Sequence, residues 1–199
     1  MKFNGIYRSA HMNVVHKTVV VFALLVSAAH SAEFNTLRTE QSRVDFAYKQ
    51  MNAQMEGSFK RFSGQLRFDP TTPALAKATL DIDLASIDTG SAEGNEEVAG
   101  KLWFNTKQFP AAHFVSTSVK PLGNNRFEVT GKMSIKGKTH DVSTSATFRQ
   151  QGAAGVFEGS FVLKRADYGI GEGMWADFGT VANEVQIKFR LVAVAAGKK

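Results

Sequence analysis

The side chains that could do chemistry in this chain are few and widely spaced. There is no cysteine, which excludes disulfides, thiol catalysis and thiolate metal sites. Beyond residue 32 the histidines are His113 and His140, and neither HExxH nor GxSxG occurs. His140 is in phase with the apolar face of its strand, so we expect a hydrogen-bonded core histidine, and we expect His113 to be exposed. The acidic group Glu93, Glu96 and Glu97 is typical of a solvated helix face. These spacings favour neither a catalytic triad nor a metal centre.

Two glycine patterns resemble nucleotide-binding motifs but depart from them. Residues 131–139 (GKMSIKGKT) have five residues between the glycines where a P-loop has four, and they span a predicted hairpin. Gly169, Gly171 and Gly173 give GxGxG, but the dinucleotide fingerprint requires a glycine where this chain has Met174. Both patterns are interpreted as turns or loops, and no cofactor is predicted.

Arg165 is the charged residue whose position needs an explanation. It lies in the inward phase at the end of a predicted strand, and a buried guanidinium needs a partner. Asp167 and Asp177 are the nearest candidates. Two roles stay open: Arg165 and an aspartate pin the following loop to the barrel, or Arg165 binds a ligand head group such as a pyrophosphate.

The elements that position these residues are predicted to be β-strands, because period-two alternation of apolar residues recurs along the chain. Eight segments follow the pattern, at residues 44–48, 62–68, 76–84, 112–116, 126–135, 142–148, 157–163 and 185–191. Turn sequences at residues 123–125, 136–138 and 151–152 predict hairpins. Eight antiparallel strands with one apolar face must close into a barrel or fold into a sandwich.

Two stretches break the alternation. Residues 91–102 (SAEGNEEVAGKL) contain few β-branched residues and predict a short helix. Residues 165–181 (RADYGIGEGMWADFGTV) predict a long Gly-rich loop of the kind that often carries function.

The first 32 residues differ from the rest of the chain. Lys2, Arg8 and Lys17 precede or flank an apolar run at residues 19–26, and small residues follow. This order predicts a secretory signal peptide cleaved between residues 28 and 32, since the run is shorter than the roughly 20 residues of a membrane-spanning helix. Residues 33–199 are then one domain.

Composition limits the partners. Three of the 24 basic residues and none of the 18 acidic ones lie within residues 1–32, which leaves an excess of three positive charges beyond them. No Lys/Arg cluster remains, so nucleic acid is not an expected partner. Phe supplies 16 of the 21 aromatic residues, which suits an apolar interior.

Five segments together resemble the YceI-like, polyisoprenoid-binding family. They are residues 57–70 (GSFKRFSGQLRFDP), 86–90 (SIDTG), 101–119 (KLWFNTKQFPAAHFVSTSV), 131–142 (GKMSIKGKTHDV) and 165–171 (RADYGIG). Trp103-Phe104 is similar to a subgroup of that family, in place of the commoner His-Leu, while Met133 and Tyr168 replace Leu and Phe.

The resemblance implies an eight-stranded lipocalin-like barrel, a periplasmic location and an apolar ligand such as a polyprenyl chain, an isoprenoid quinone or a fatty amide. It also implies, for some relatives, a membrane cytochrome b partner. A monomer or a homodimer fits such a barrel.

The pattern of residues alone is compatible with a hollow interior or with a filled one. Large side chains alternate with Gly64, Ala78, Gly131, Ala146 and Gly159, which either leave room for a ligand or only permit strand bending. We predict an apolar carrier, with a filled interaction module and a lipid- or quinone-modifying enzyme using Tyr48, His140 and Arg165 as alternatives. The predicted ligand contacts are Phe46, Tyr48, Phe68, Trp103, Phe104, Phe114, Phe127, Met133, Phe161, Arg165, Tyr168, Trp175 and Phe189.

Overall fold

The computed structural model describes Met1 and residues 33–195. The predicted signal peptide therefore lies, apart from Met1, outside the described residues. The chain divides into two units, Met1–His30 and Ser31–Lys199, and the elements below all belong to the second.

The second unit is built almost wholly from antiparallel strands. These are β1 Phe34–Leu37, β2 Arg43–Gln50, β3 Ala53–Phe59, β4 Phe62–Arg67, β5 Lys77–Asp83, β6 Ile87–Asp88, β7 Ala111–Gly123, β8 Arg126–Ile135, β9 Lys138–Gln151, β10 Ala154–Lys164 and β11 Glu184–Ala195. The α-helix is α1, Ala92–Ala99, and short 3-10 turns occupy Thr39–Gln41, Pro73–Leu75, Leu84–Ser86, Arg165–Tyr168 and Gly173–Trp175. The all-β prediction, the short helix and the irregular segment after residue 164 are confirmed.

The hairpins form where turn residues tolerate left-handed backbone. Asn124 and Asn125 have φ of 51° and 56°, and Lys136 and Gly137 have φ of 50° and 75°. Asparagine and glycine adopt this region more readily than other residues, and it matches the twist of two-residue hairpins. A third such turn, at Met51 and Asn52, joins β2 to β3 and was not predicted.

The sheet curls until its ends meet. Its strand order is β4-β5-β7-β8-β9-β10-β11-β2-β3-β6, with β1 also paired to β11. Phe34 and Phe68 exchange two backbone hydrogen bonds of 2.8 and 3.0 Å, which connect β1 to the end of β4. At the other end, β3 pairs with β6. These pairings close the sheet around an apolar interior.

The strand count is eleven where eight were predicted, because three barrel positions hold broken strands. β1 with β2, β3 with β4, and β5 with β6 each lie end to end at one position in the barrel wall. Ser86 stabilises one such corner: its hydroxyl accepts from the Arg61 amide at 2.9 Å and donates to the Asp83 carbonyl at 2.6 Å. Ser86 is buried, so these bonds satisfy a polar group that would otherwise destabilise the core.

The interior has two apolar clusters, one at each end of the barrel. Phe34, Phe68, Phe127, Phe148 and Phe157 pack together beside the carboxyl end of β11, and we call this the closed end. The second cluster lies at the opposite end and consists of Leu84, Trp103, Ala112, Ile135, Leu163, Tyr168, Ile170 and Val181. Among the described residues no helix has both the length and the apolarity to cross a bilayer.

Candidate functional site

A cavity of about 420 Å³ lies inside the barrel between the closed end and helix α1. This volume falls within the roughly 300–1,000 Å³ of typical small-molecule sites. Inward-facing aliphatic side chains from most strands form its wall, and they include Leu66, Leu80, Ile82, Val129, Ile135, Val185 and Ile187. Each of these residues lies on the face of its strand that period-two alternation predicted to point inward. The site is therefore a mostly apolar chamber.

Ten of the thirteen predicted contact residues line this cavity. They are Phe46, Tyr48, Trp103, Phe104, Phe114, Met133, Phe161, Arg165, Trp175 and Phe189. Partial burial raises the pKa of the Tyr48 hydroxyl.

The structure places Phe68, Phe127 and Tyr168 outside the cavity lining. The Phe68 ring lies 5.4 Å from that of Phe127, 4.7 Å from Phe148 and 5.0 Å from Phe157, so these rings fill the closed end. Phe157 belongs to both the cluster and the cavity wall, and it forms the floor. Period-two alternation shows whether a side chain faces the interior, but not where along the barrel axis it lies.

Tyr168 is buried beside the cavity wall. Its ring packs edge-on against His140 at 4.9 Å, and burial, followed by the negative charge of Asp167, raises its pKa. The Tyr168 hydroxyl and the Trp103 indole nitrogen are buried groups without a hydrogen-bond partner in the described part of the chain.

The glycines predicted to leave room for a ligand do not line the cavity. A Cβ atom on Gly159 would lie 2.5 Å from the Phe189 ring and 2.9 Å from the Ser145 carbonyl oxygen. A Cβ on Gly131 would meet the Phe114 ring and lie 2.6 Å from the Val115 carbonyl oxygen. Neighbouring rings occupy the space above Gly131 and Gly159, so a side chain added at either position would clash. The free volume instead adjoins residues such as Ala78 and Ala146.

Arg165 is only 1% exposed, and backbone carbonyls are its partners. The prediction of an aspartate partner is wrong: Asp177 accepts from the Gly179 amide and the Thr180 hydroxyl, and no ion pair of Arg165 occurs among residues 33–195. The guanidinium donates five hydrogen bonds of 2.7 to 3.1 Å to the carbonyl oxygens of Ile170, Gly171, Trp175, Val181 and Ala182.

This arrangement uses every N–H of the arginine fork. Burial lowers the pKa of Arg165, while the five carbonyl dipoles stabilise its charge. The guanidinium also stacks at 5.5 Å from the Trp103 ring and 5.3 Å from the Phe178 ring. Of the two predicted roles, the geometry favours pinning of the loop, because no donor is left over for a head group.

The opposite end of the barrel, which we call the mouth, is covered by helix α1 and by the mouth loop, defined as residues 165–183. The Ser91 hydroxyl caps α1 by accepting from the Gly94 amide at 3.0 Å. Glu97 on α1 accepts a 2.7 Å hydrogen bond from the Trp175 indole N–H. The amides of Gly171 and Glu172 both donate to the Leu102 carbonyl oxygen. Three segments are thus tied together over the cavity.

Polar lining groups concentrate at this mouth. Thr89, Ser91 and Glu97 line the cavity beside α1, and Gln50 lines it beside the mouth loop. Thr144 lies deeper, where its hydroxyl donates to the Ser160 carbonyl oxygen at 2.9 Å. Glu97 was predicted only as part of a solvated face. Its contact with Trp175 spans 78 positions of sequence, and no local pattern could reveal it.

The other polar candidates do not meet in the cavity. His140 is exposed at a strand end, and its Nε2 lies 3.0 Å from the Asp167 carbonyl oxygen, so the prediction of a core position is wrong. His113 is exposed as predicted and lies 2.6 Å from Asp81. Lys136 pairs with Glu172 at 2.9 Å, which lowers the pKa of that carboxyl. Within residues 33–195 no group of three acidic or histidine side chains could hold a metal ion.

Comparisons with known proteins agree on one family. A family model described as "YceI-like domain" matches residues 36–193. A UPF0312 protein of Azotobacter vinelandii is 33% identical over 138 residues, which cover 66% of this chain and 69% of that protein. A UPF0312 protein of Photorhabdus laumondii is 34% identical over 145 residues, covering 69% of this chain and 72% of that protein.

Solved structures share the fold. The crystal structure of Burkholderia cenocepacia BcnA is 46% identical in sequence, with a TM-score of 0.78 over 79% of this chain and 99% of that one. A polyisoprenoid-binding domain from Saccharophagus degradans, implicated in plant cell wall breakdown, is 18% identical, with a TM-score of 0.67 over 82% of this chain and 99% of that one. The second likeness concerns the fold alone.

Proposed function

The chain belongs to the YceI-like family, and from that premise we propose that it is a non-catalytic binding protein whose cavity holds an apolar, chain-like molecule. The proposal rests on the cavity of about 420 Å³, whose wall consists mainly of aliphatic and phenylalanine side chains. Burial of a hydrocarbon there contributes roughly 0.8 kcal/mol per methylene. The polyisoprenoid-binding domain of similar fold supports an isoprenoid chain or quinone tail as the ligand class.

The distribution of polar groups supports binding over catalysis. Tyr48 lines the cavity, His140 lies outside it, and the N–H groups of Arg165 are used by the mouth loop. The three candidates for an enzymatic site therefore do not converge on one point. The open chamber likewise favours a carrier over a filled barrel that acts only through its outer surface.

We further propose that residues 1–32 direct export and are removed. The proposal rests on the order of basic, apolar and small residues in that segment. Amino-terminal sequencing of the protein from its host should find a start near residues 29–33, whereas retention of residues 1–25 would refute export by cleavage.

The binding proposal is tested by filling the cavity. Protein extracted with organic solvent is titrated with N-phenyl-1-naphthylamine, whose fluorescence rises in apolar surroundings, and the dye is then displaced with farnesol. Ala78→Phe places a ring in the cavity, while Val115→Phe adds the same ring at an exposed position on the neighbouring strand β7. We expect Ala78→Phe to weaken dye binding at least tenfold and Val115→Phe to bind like the unmodified protein.

Two results would overturn the proposal. One is a lack of dye binding by the emptied, folded protein. The other is an equal affinity of Ala78→Phe and Val115→Phe, which would place the dye outside the barrel.

A further inference from the structure

Large apolar side chains are exposed at the mouth, the end of the cavity that α1 and the mouth loop cover. Met51 is 76% exposed, Met174 78%, Phe178 50% and Leu102 38%. They belong to three separate segments: the β2–β3 turn, the stretch after α1 and the mouth loop. Burying such side chains would be favourable, so their exposure needs a reason.

Backbone hydrogen bonds hold these segments together. The Met51 amide donates to the Thr180 carbonyl oxygen at 2.9 Å, which places the β2–β3 turn beside the part of the mouth loop that carries Phe178. The Glu172 amide donates to the Leu102 carbonyl oxygen at 2.8 Å, close to Met174. The four exposed side chains therefore lie on adjoining segments of the mouth, and we call this set the apolar rim.

The rim is continuous with the cavity wall. Gln50 and Trp175 line the cavity, and their chain neighbours Met51 and Met174 are the most exposed members of the rim. A ligand leaving the barrel at this end therefore passes from apolar wall to apolar rim. Methionine side chains are flexible and adapt to irregular apolar surroundings, as an acyl-chain boundary requires.

We propose that this rim docks the protein on the surface of a phospholipid bilayer, so that the ligand passes between membrane and barrel without crossing water. The inference rests on the proposed binding function, because an apolar chain of the kind that fits the cavity partitions from water into a bilayer. Insertion of the four rim side chains would seat the mouth at the boundary between head groups and acyl chains.

The charges beside the rim indicate which force drives docking. Lys49 and Lys101 neighbour it, but so do Glu97, Glu172 and Asp177. Acidic groups are therefore at least as numerous as basic ones beside the rim, and attraction to anionic lipid does not drive docking. Apolar insertion therefore drives docking, and neutral phosphatidylcholine vesicles suffice to bind the protein.

The test is vesicle flotation of the protein as purified from its host. The variant Met51→Asp/Met174→Asp replaces two rim residues with carboxylates. Aspartate suits the left-handed backbone at Met51, where φ is 49°. The matched control is Leu75→Asp/Leu122→Asp, which removes two side chains that are 70% and 52% exposed near the closed end. Both carry the same added charge.

We expect the rim variant to lose vesicle binding by about tenfold or more, because a factor of ten corresponds to about 1.4 kcal/mol, which two inserted methionine side chains together exceed. We expect the control to float like the unmodified protein, and the addition of phosphatidylglycerol or salt to change binding little. After extraction with organic solvent, both variants should bind N-phenyl-1-naphthylamine in vesicle-free solution as the extracted unmodified protein does.

The outcomes separate the two proposals. Dye binding without flotation, or equal flotation of the rim variant and the control, overturns docking and leaves the binding function intact. Rim-dependent flotation without dye binding supports docking and overturns the binding function. Self-association that is lost in the rim variant, in place of flotation, assigns the rim to a second copy of the chain and overturns docking on lipid.

Discussion

At the scale of single residues, Arg165 organises the mouth. A buried guanidinium usually pairs with a carboxylate, but here the carbonyl oxygens of one loop accept hydrogen bonds from all five of its N–H donors. The sequence predicted that Arg165 needs a partner, because its position in the strand pattern is inward. It could not predict which partner, since every residue carries a carbonyl and no side-chain type marks the choice.

Arg165→Lys tests this role. Lysine has three donors and no planar fork, so at least two buried carbonyls lose a partner, each at about 1–3 kcal/mol. We expect the free energy of unfolding in urea to fall by about 3 kcal/mol. The control is Arg149→Lys, which makes the same change at an exposed ion pair with Glu158 and should alter stability by less than about 1 kcal/mol. Equal losses of unfolding free energy in both variants would show that the five hydrogen bonds from Arg165 to carbonyl oxygens do not stabilise the protein.

Gly131 shows how a small residue can be misread from sequence. Alternation places it on the inward face, where a missing side chain suggests free space, yet the Phe114 ring lies over it. We expect Gly131→Ala to lower the free energy of unfolding by about 1–3 kcal/mol through overpacking. Adding Phe114→Leu should restore part of that loss, because the obstructing ring is removed. Unchanged stability with weakened dye binding would instead assign the space to the ligand.

At the scale of elements, each of the eight predicted segments lies on a strand, whereas β1, β3 and β6 were not predicted. β8 and β11 have ten and twelve residues, so their period is easily read. β6 has two residues and β1 four, which is too short for a period, and both depend on partners distant in sequence. The corner at Ser86 likewise depends on Arg61, which lies 25 residues away.

Helix α1 and the mouth loop are joined by the hydrogen bond between Glu97 and Trp175. We expect Glu97→Ala to release this contact and to raise the dissociation rate of bound N-phenyl-1-naphthylamine several-fold, because the helix then opens more readily. The global free energy of unfolding should change by less than about 1 kcal/mol, since Glu97 is exposed.

The matched control is Glu93→Ala on the same helix. It removes a carboxylate of the same type, while the 2.7 Å bond of Glu97 is left in place. Stopped-flow release of the dye should therefore differ between the two variants. Identical release rates would show that the cover opens without breaking the Glu97–Trp175 contact.

At the scale of the whole molecule, the barrel has a filled end and a hollow end. Phe68 and Phe46 have the same residue type and the same inward phase, yet Phe68 packs into the closed end and Phe46 lines the cavity. The difference follows from where strands pair around the barrel, above all from the Phe34–Phe68 bridge. The alternation of apolar residues predicted which side chains face inward. Which of them fill the closed end and which line the cavity depends on how the strands pair, and the sequence pattern does not show that.

This division predicts how binding depends on ligand length. A chain entering at the mouth can extend only as far as the Phe157 ring, which forms the cavity floor. For a series of straight-chain alcohols, affinity should rise about fourfold per methylene, from about 0.8 kcal/mol each, and level off when the chain reaches that ring. Quenching or enhancement of Trp103 and Trp175 fluorescence, both at the cavity wall, reports the binding.

Two variants should move the plateau in opposite directions. Ala78→Leu reduces the free volume and should end the rise at a shorter chain, whereas Phe157→Leu lowers the floor and should extend it to a longer one. Urea titration of each variant shows that the barrel is still folded, so that a shift reports cavity depth alone. A plateau at the same length in all three proteins would place the chain outside the barrel, because a ligand on the outer surface does not sense the floor.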